Sequence, residues 1–177
     1  NEERFRTIVE TAPGMLMISD TQGNNIYVSP NCEKLTGYTQ EELQGTMKWW
    51  VHKDDTLKAR KIFEQTFRKG KGGKDFEYKA VKKNGDIWYA SSTWEPLRDK
   101  EENLLGIVMQ TVDITERKRT EEELQAREAY LDQLFESAQE AIVMADNKGR
   151  ALRINQEFTG LFGYTQEEAV GKVLDEL

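Results

Sequence analysis

The 177-residue sequence is short of several things at once: it has one cysteine, one histidine and three prolines. A lone cysteine, Cys32, rules out an internal disulfide and fits a reducing compartment, so a cytoplasmic setting is expected. With His52 the only histidine, any Ser-His-Asp or Cys-His mechanism would have to run through that single imidazole. No apolar run approaches the roughly 18 residues of a membrane helix. The longest, 15–18 and 104–109, are strand-sized, so no membrane contact is expected of this stretch. Positive charge is in deficit too, with 25 Lys and Arg against 32 Asp and Glu and a net charge of -7. That sign opposes binding to phosphate backbones and excludes nucleic acid as a direct partner.

What is present in abundance is internal repetition. Shifted by 126 positions, Gly37-Tyr38-Thr39-Gln40-Glu41-Glu42 falls on Gly163-Tyr164-Thr165-Gln166-Glu167-Glu168. In the same register Glu10, Ala12, Asp20, Gly23, Leu35 and Gly45 meet Glu136, Ala138, Asp146, Gly149, Leu161 and Gly171. One repeat marks one folding unit. Nothing in the second copy matches 52–114, so the expectation is one whole unit and a shortened one, cut from a longer protein. Three segments are therefore expected: a domain with a lead-in helix over 1–114, a linker helix over 115–137, and the beginning of a second domain over 138–177.

Phe5, Ile8 and Val9 have helical spacing and stop before Pro13-Gly14, which predicts a short lead-in helix. Residues 15–19 and 26–29 read as strands around a tight turn at Asp20-Thr21-Gln22-Gly23. From 30 to 69 the texture is helical, with Pro30 opening one helix, Thr39 capping a second and Asp54 or Asp55 capping a longer one striped by Leu57, Ile62, Phe63 and Phe67. Beyond the flexible glycine-rich connector 70–73 the period falls to two, and Asn84-Gly85 signals a hairpin. Strands are expected over 76–81, 87–96 and 104–112. The result is an α+β unit, a five-stranded antiparallel sheet with its helices on one face. Thr115 is placed to cap a charged helix in which Leu124, Leu131 and Ala138 repeat every seven and Leu134 follows Leu131 by three, a narrow coiled-coil seam. Both a two-chain coil and a lone helix packed on its own domain agree with that pattern.

Taken together, Asp20-x-x-Gly23, Gly37-Tyr38-Thr39 with Glu41-Glu42-Leu43 and Gly45, Val51-His52 before Asp54-Asp55, Lys83-Asn84-Gly85 before Trp88, and Asp113-Ile114-Thr115-Glu116-Arg117-Lys118 resemble the PAS sensor family with its C-terminal PAC motif. The resemblance spans 5–118 and restarts at 130. It implies a sensory input module of a signal-transduction protein, foremost a sensor histidine kinase, with a cyclic-dinucleotide enzyme or transcription regulator as the other outputs; the module is not itself catalytic, and a ligand-free interaction scaffold is the alternative. It further implies homodimerisation through the flanking helices and outer sheet face, with a small-molecule ligand in the interior. Haem-binding members similar to this family carry an axial His within the long helix, where this chain has none, so haem is not expected. The light-sensing flavin branch places its adduct-forming Cys where this chain has Lys48, which excludes that photochemistry. No cofactor is expected, with a non-covalently stacked flavin as the alternative.

Within that frame the pocket candidates are Met17, Trp49, Trp50, Phe63, Phe67, Phe76, Tyr78, Tyr89, Ser91 and Thr93. Trp49 and Trp50 cannot both face inward on a helix, so one is expected to enter the pocket. On the 87–96 strand Trp88 and Trp94 share one parity and Tyr89, Ser91 and Thr93 the other. The tryptophans are expected outward, because a broad aromatic face is an association site. His52 is expected to serve structure, and Cys32 to pack as a small apolar residue. Asp113, Ile114 and Thr115 join the last strand to the exit helix and are the candidates for signal transmission.

Overall fold

The computed structural model describes residues 7, 9, 11–45 and 50–176. The chain divides into two compact units, Asn1–Lys118 and Arg119–Leu177. In the first, β1 (Met15–Asp20), β2 (Asn25–Val28), β3 (Gly73–Val81), β4 (Ile87–Arg98) and β5 (Leu104–Asp113) form one antiparallel sheet in the order β2-β1-β5-β4-β3. Between β2 and β3 lie α1 (Cys32–Thr36), α2 (Gln40–Leu43) and α3 (Thr56–Lys69). The expected lead-in helix falls mostly outside the described residues, although its Val9 is buried.

Local chemistry explains the element boundaries. Asp20 Oδ1 accepts from the N–H groups of Gln22 and Asn24, closing the β1–β2 turn, and Gly23 takes the left-handed backbone the turn requires. Thr39 and Glu42 form a reciprocal capping box at the start of α2. The long helix departs from expectation at its entrance. Asp55 is its N-cap by position, but the carboxylate accepts from Lys79 N–H of β3 at 2.8 Å, tying helix to sheet instead of capping. Its stripe also differs, since Leu57 is 73% exposed and Ala59 and Thr66 are buried in its place. Alternating pocket-side residues of β1, β5, β4 and β3, among them Met15, Met17, Thr111, Ser92, Ala90, Tyr78 and Ala80, build the core under the helices.

The helix α4 (Thr115–Ser137) starts two residues after β5 and has no buried residue along its length. In the second unit β6 (Val143–Ala145) and β7 (Ala151–Ile154) pair antiparallel, followed by α5 (Gln156–Phe162), α6 (Gln166–Ala169) and a 3-10 turn at Leu174–Glu176. The sequence repeat returns here as repeated bonding. Leu16 N–H donates to Ser29 Oγ at 2.9 Å, and Ile142 N–H donates to Asn155 Oδ1 at 2.8 Å, 126 positions on. Gly45 N–H bonds Asn25 O, as Gly171 N–H bonds Ala151 O, and the capping box recurs at Thr165 and Glu168. Small polar identities thus dictate the same strand-turn-strand-helix path twice.

Candidate functional site

A cavity of about 90 Å³ lies between the sheet and α3. Of the residues expected there, Met17, Trp50, Phe63, Phe76 and Tyr78 line it. Phe67 stands one layer back, its ring packed on Phe63 with centroids 4.5 Å apart. Trp49 lies outside the described residues.

The parity expected for β4 is reversed. Trp94 and Ser92 line the cavity, and Trp88, 2% exposed, shares their face, whereas Tyr89, Ser91 and Thr93 stand on the outer side of the sheet. The cause is steric. Trp94 pairs with Gly73, where even a Cβ would come within 2.2 Å of the indole, so the one missing side chain on β3 makes room for the ring. The outer face is occupied instead by the aliphatic set Leu16, Ile18, Val108 and Val112. Sequence reasoning also missed Ser19, Asn25, Ala59, Ile62, Thr66, Ile107 and Met109 of the wall. The strand residues among them could have been found from the parity of Met17, since Met109 and Ile107 sit in register with Met17 and Ser19.

Two hydrogen-bonded tethers cross the interior. Trp50 Nε1 donates to Tyr78 Oη at 3.3 Å, Tyr78 Oη pairs with Ser92 Oγ at 3.1 Å, and Ser92 Oγ pairs with Thr111 Oγ1 at 2.8 Å, so one relay links β3, β4 and β5. Burial pushes the Tyr78 hydroxyl pKa up, which keeps it neutral and able to donate. Trp94 Nε1 donates to Thr66 Oγ1 at 2.8 Å and fastens α3 to β4. Around them Phe76 stacks on Tyr78 at 5.2 Å and meets Trp94 edge-on at 6.4 Å. His52 is not on this wall. Its backbone bonds Lys79 O, and its Nδ1 accepts from Asp54 N–H at 3.3 Å, at the start of α3. Cys32 is fully buried in the core, and burial raises its thiol pKa.

The junction candidates are placed by bonds to neighbouring strands. Asp113 Oδ1 accepts from Thr115 N–H at 2.8 Å. Ile114 N–H donates to Tyr89 O, and Thr115 Oγ1, expected to cap α4, accepts from Tyr89 N–H at 2.9 Å. One turn on, Lys118 Nζ lies 2.7 Å from Glu77 Oε2, and Arg117 bonds the other Glu77 oxygen. These two cations, Lys118 foremost, hold the Glu77 carboxyl below its usual range. The first turn of α4 is therefore fixed to β4 through Tyr89 and to β3 through Glu77.

The wall does not fit haem, since no histidine faces the cavity to ligate the iron. The volume is also far below the roughly 300 Å³ at which sites for drug-sized ligands begin.

The PAS fold matches over residues 25–109, and a second PAS fold match covers 129–177. Among similar proteins, the uncharacterized protein y4lL of Sinorhizobium fredii is 31% identical over 70% of this chain and 15% of its own length. Sensor histidine kinase TmoS of Ectopseudomonas mendocina is 25% identical over 78% of this chain and 14% of its own. The chain thus spans about a seventh of these curated relatives. A sensory box histidine kinase/response regulator from Burkholderia thailandensis superposes with a TM-score of 0.59, at 25% identity, over 74% of this chain and 99% of that one. No helix among the described residues is long and apolar enough to cross a membrane. The five-strand sheet, the hollow under α3 and these matches agree: the chain belongs to the PAS family and is a sensor module of a signal-transduction protein.

Proposed function

We propose that the first unit reads the state of its interior and passes it to α4, which carries it to an output domain of the parent protein. The observation that carries this reading is the unbroken set of bonds from cavity to helix. The Tyr78 relay joins β3, β4 and β5 on the inner face, while Glu77 and Tyr89 of the same strands hold the first turn of α4 on the other side. A ligand that favours one strand arrangement over another shifts α4 by that difference in affinity and no more.

In this reading Asp113, Ile114 and Thr115 form the PAC-type junction, and 138–177 belongs to a second PAS unit. In the same reading the segment senses and its lone histidine serves structure, engaged at a helix start. Two copies pair through α4, where Leu124, Leu131 and Leu134 are each about half exposed, and through the outer sheet face. The parent protein is a sensor histidine kinase, as the name of the TmoS relative suggests, and this segment is cytoplasmic.

A second reading, a scaffold with its interior packed shut, draws support from the small volume of the cavity. Pulsed electron resonance separates the two. With Cys32→Ala and a nitroxide at residue 125, exposed beside the seam, the distance between paired α4 helices is measured with the interior open and filled by Ile62→Trp. A changed distance supports transmission. An unchanged distance in a folded dimer refutes it.

A further inference from the structure

Charge is spread unevenly over the chain. Although the net charge is -7, the stretch 58–74 holds seven Lys and Arg against one acid, Glu64. None of those seven forms an ion pair among the described residues. On α3, Lys58, Lys61, Gln65 and Lys69 follow one another at helical spacing and make one exposed stripe. Lys58 and Gln65 of that stripe line one wall of a groove of about 480 Å³, and Lys71 and Lys74 line the other, at the start of β3. Two carboxylates share the groove, Asp75 and Glu77, and Glu77 is already held by Lys118 and Arg117. The groove is therefore positive, and its field acts on groups within about 8 Å.

Beneath these charges the floor is apolar, formed by Ile62, Phe76 and Trp94, with Lys58 Nζ 5.2 Å from the centre of the Phe76 ring. One wall is also an open strand edge, because β3 is the last strand of its sheet. Further along, that edge is covered. Lys79 N–H donates to Asp55, Lys79 O accepts from His52 N–H, and Val81 N–H donates to Trp50 O. Glu77 lies two residues before Lys79 and turns its own N–H and C=O to the same side, where no strand among the described residues pairs with it. An extended chain laid in the groove would find backbone partners at Glu77, apolar seats for alternate side chains and cations beside them. A membrane, being flat, reaches only the rim lysines, and a net charge of -7 opposes adsorption on anionic lipid.

We propose that the groove between α3 and β3 docks an extended acidic peptide segment of a partner protein, in which carboxylates alternate with aliphatic residues. The site lies outside the cavity, so the proposal goes beyond the sensor reading and stands or falls separately from it. The test uses the full chain and a fluorescein-labelled octapeptide of alternating Asp and Leu, with a Lys-Leu octapeptide and phosphatidylserine vesicles as comparisons. The Asp-Leu peptide is expected to bind saturably and to shift the amide signals of residues 74–77. Its affinity is expected to fall about tenfold or more in Lys58→Gln/Lys71→Gln/Lys74→Gln, which removes three exposed cations from the groove. Lys34→Gln/Lys82→Gln/Lys100→Gln removes the same charge elsewhere and is expected to keep that affinity. Equal binding of the Lys-Leu peptide, equal losses in the two triple variants, or undiminished binding in the groove variant overturns the proposal. Vesicles that bind where the Asp-Leu peptide does not would assign these lysines to a membrane surface and overturn it as well.

Discussion

Glu77 and Tyr78 are neighbours on β3 and serve opposite faces of the sheet, Tyr78 closing the cavity through Ser92 and Trp50 while Glu77 holds Lys118 and Arg117 of α4. Because successive strand residues alternate sides, a displacement of Tyr78 by anything in the cavity carries Glu77 with it. This pair brings the interior and the exit helix to adjacent residues of one strand, and the predictions follow from it.

Glu77→Gln removes both ion pairs and keeps the size of the side chain. Each pair is partly exposed, so the expected cost to global stability is small, about 0.2–1 kcal/mol. The local effect is larger in kind. Amide protection in the first turn of α4 is expected to fall while that of β1 and β5 holds, as read by hydrogen exchange. A global loss of several kcal/mol would contradict this account of an exposed clamp.

The same carboxylate fixes a pH dependence. Its folded pKa is depressed by Lys118 and Arg117, so its contribution is fully present above the unfolded value of about 4.3 and is lost as pH falls through the lower, folded value. The clamp is therefore intact at neutral pH and releases only in acid. Carbon-13 titration of the Glu77 carboxyl is expected to give a midpoint below about 4.3 that rises in Lys118→Met. A midpoint at or above that value would contradict the clamp.

The two buried indoles of β4 form a matched comparison. Trp94 Nε1 donates to Thr66, whereas Trp88 Nε1 is the one buried side-chain polar atom left without a partner among the described residues. Replacing either by Phe removes the same atoms. Trp94→Phe loses a hydrogen bond worth about 1 kcal/mol, while Trp88→Phe relieves an unsatisfied donor costing about 1–3 kcal/mol. Denaturant unfolding is expected to rank Trp94→Phe the less stable by about 2 kcal/mol or more. Equal stabilities would show that the Thr66 bond contributes nothing.

Leu131 tests the pairing of α4. Half exposed and seven residues beyond Leu124, it stands on the proposed seam. Leu131→Glu is expected to convert a dimer to a monomer by light scattering, with helix content preserved apart from α4. A dimer that survives the substitution would move the interface to the outer sheet face.

Much of this fold was legible because its decisive signals are local. Asp20 and Gly23, Thr39 with Glu42, and their counterparts at 146, 149, 165 and 168 act within four residues, and each forms the turn or cap its spacing implies. The inner and outer faces of β4 were not legible. Trp88, Ala90, Ser92 and Trp94 alternate with Ile87, Tyr89, Ser91 and Thr93, and both sets are compatible with burial. The arbiter is the long-range pairing of Trp94 with Gly73, which no short-range pattern encodes. Asp55 departs from its expected role in the same way, since its carboxylate, with cap chemistry, is claimed by Lys79 of a strand distant in sequence.

The most direct test of the link from cavity to helix is hydrogen exchange over 114–118 with the interior filled from α3 by Ile62→Trp, a substitution made on neither β5 nor the junction. Altered protection at 114–118, with the Asp146–Arg150 turn of the second unit unchanged, is the expected result. Identical protection in a folded Ile62→Trp protein would contradict the claim that the cavity is coupled to α4.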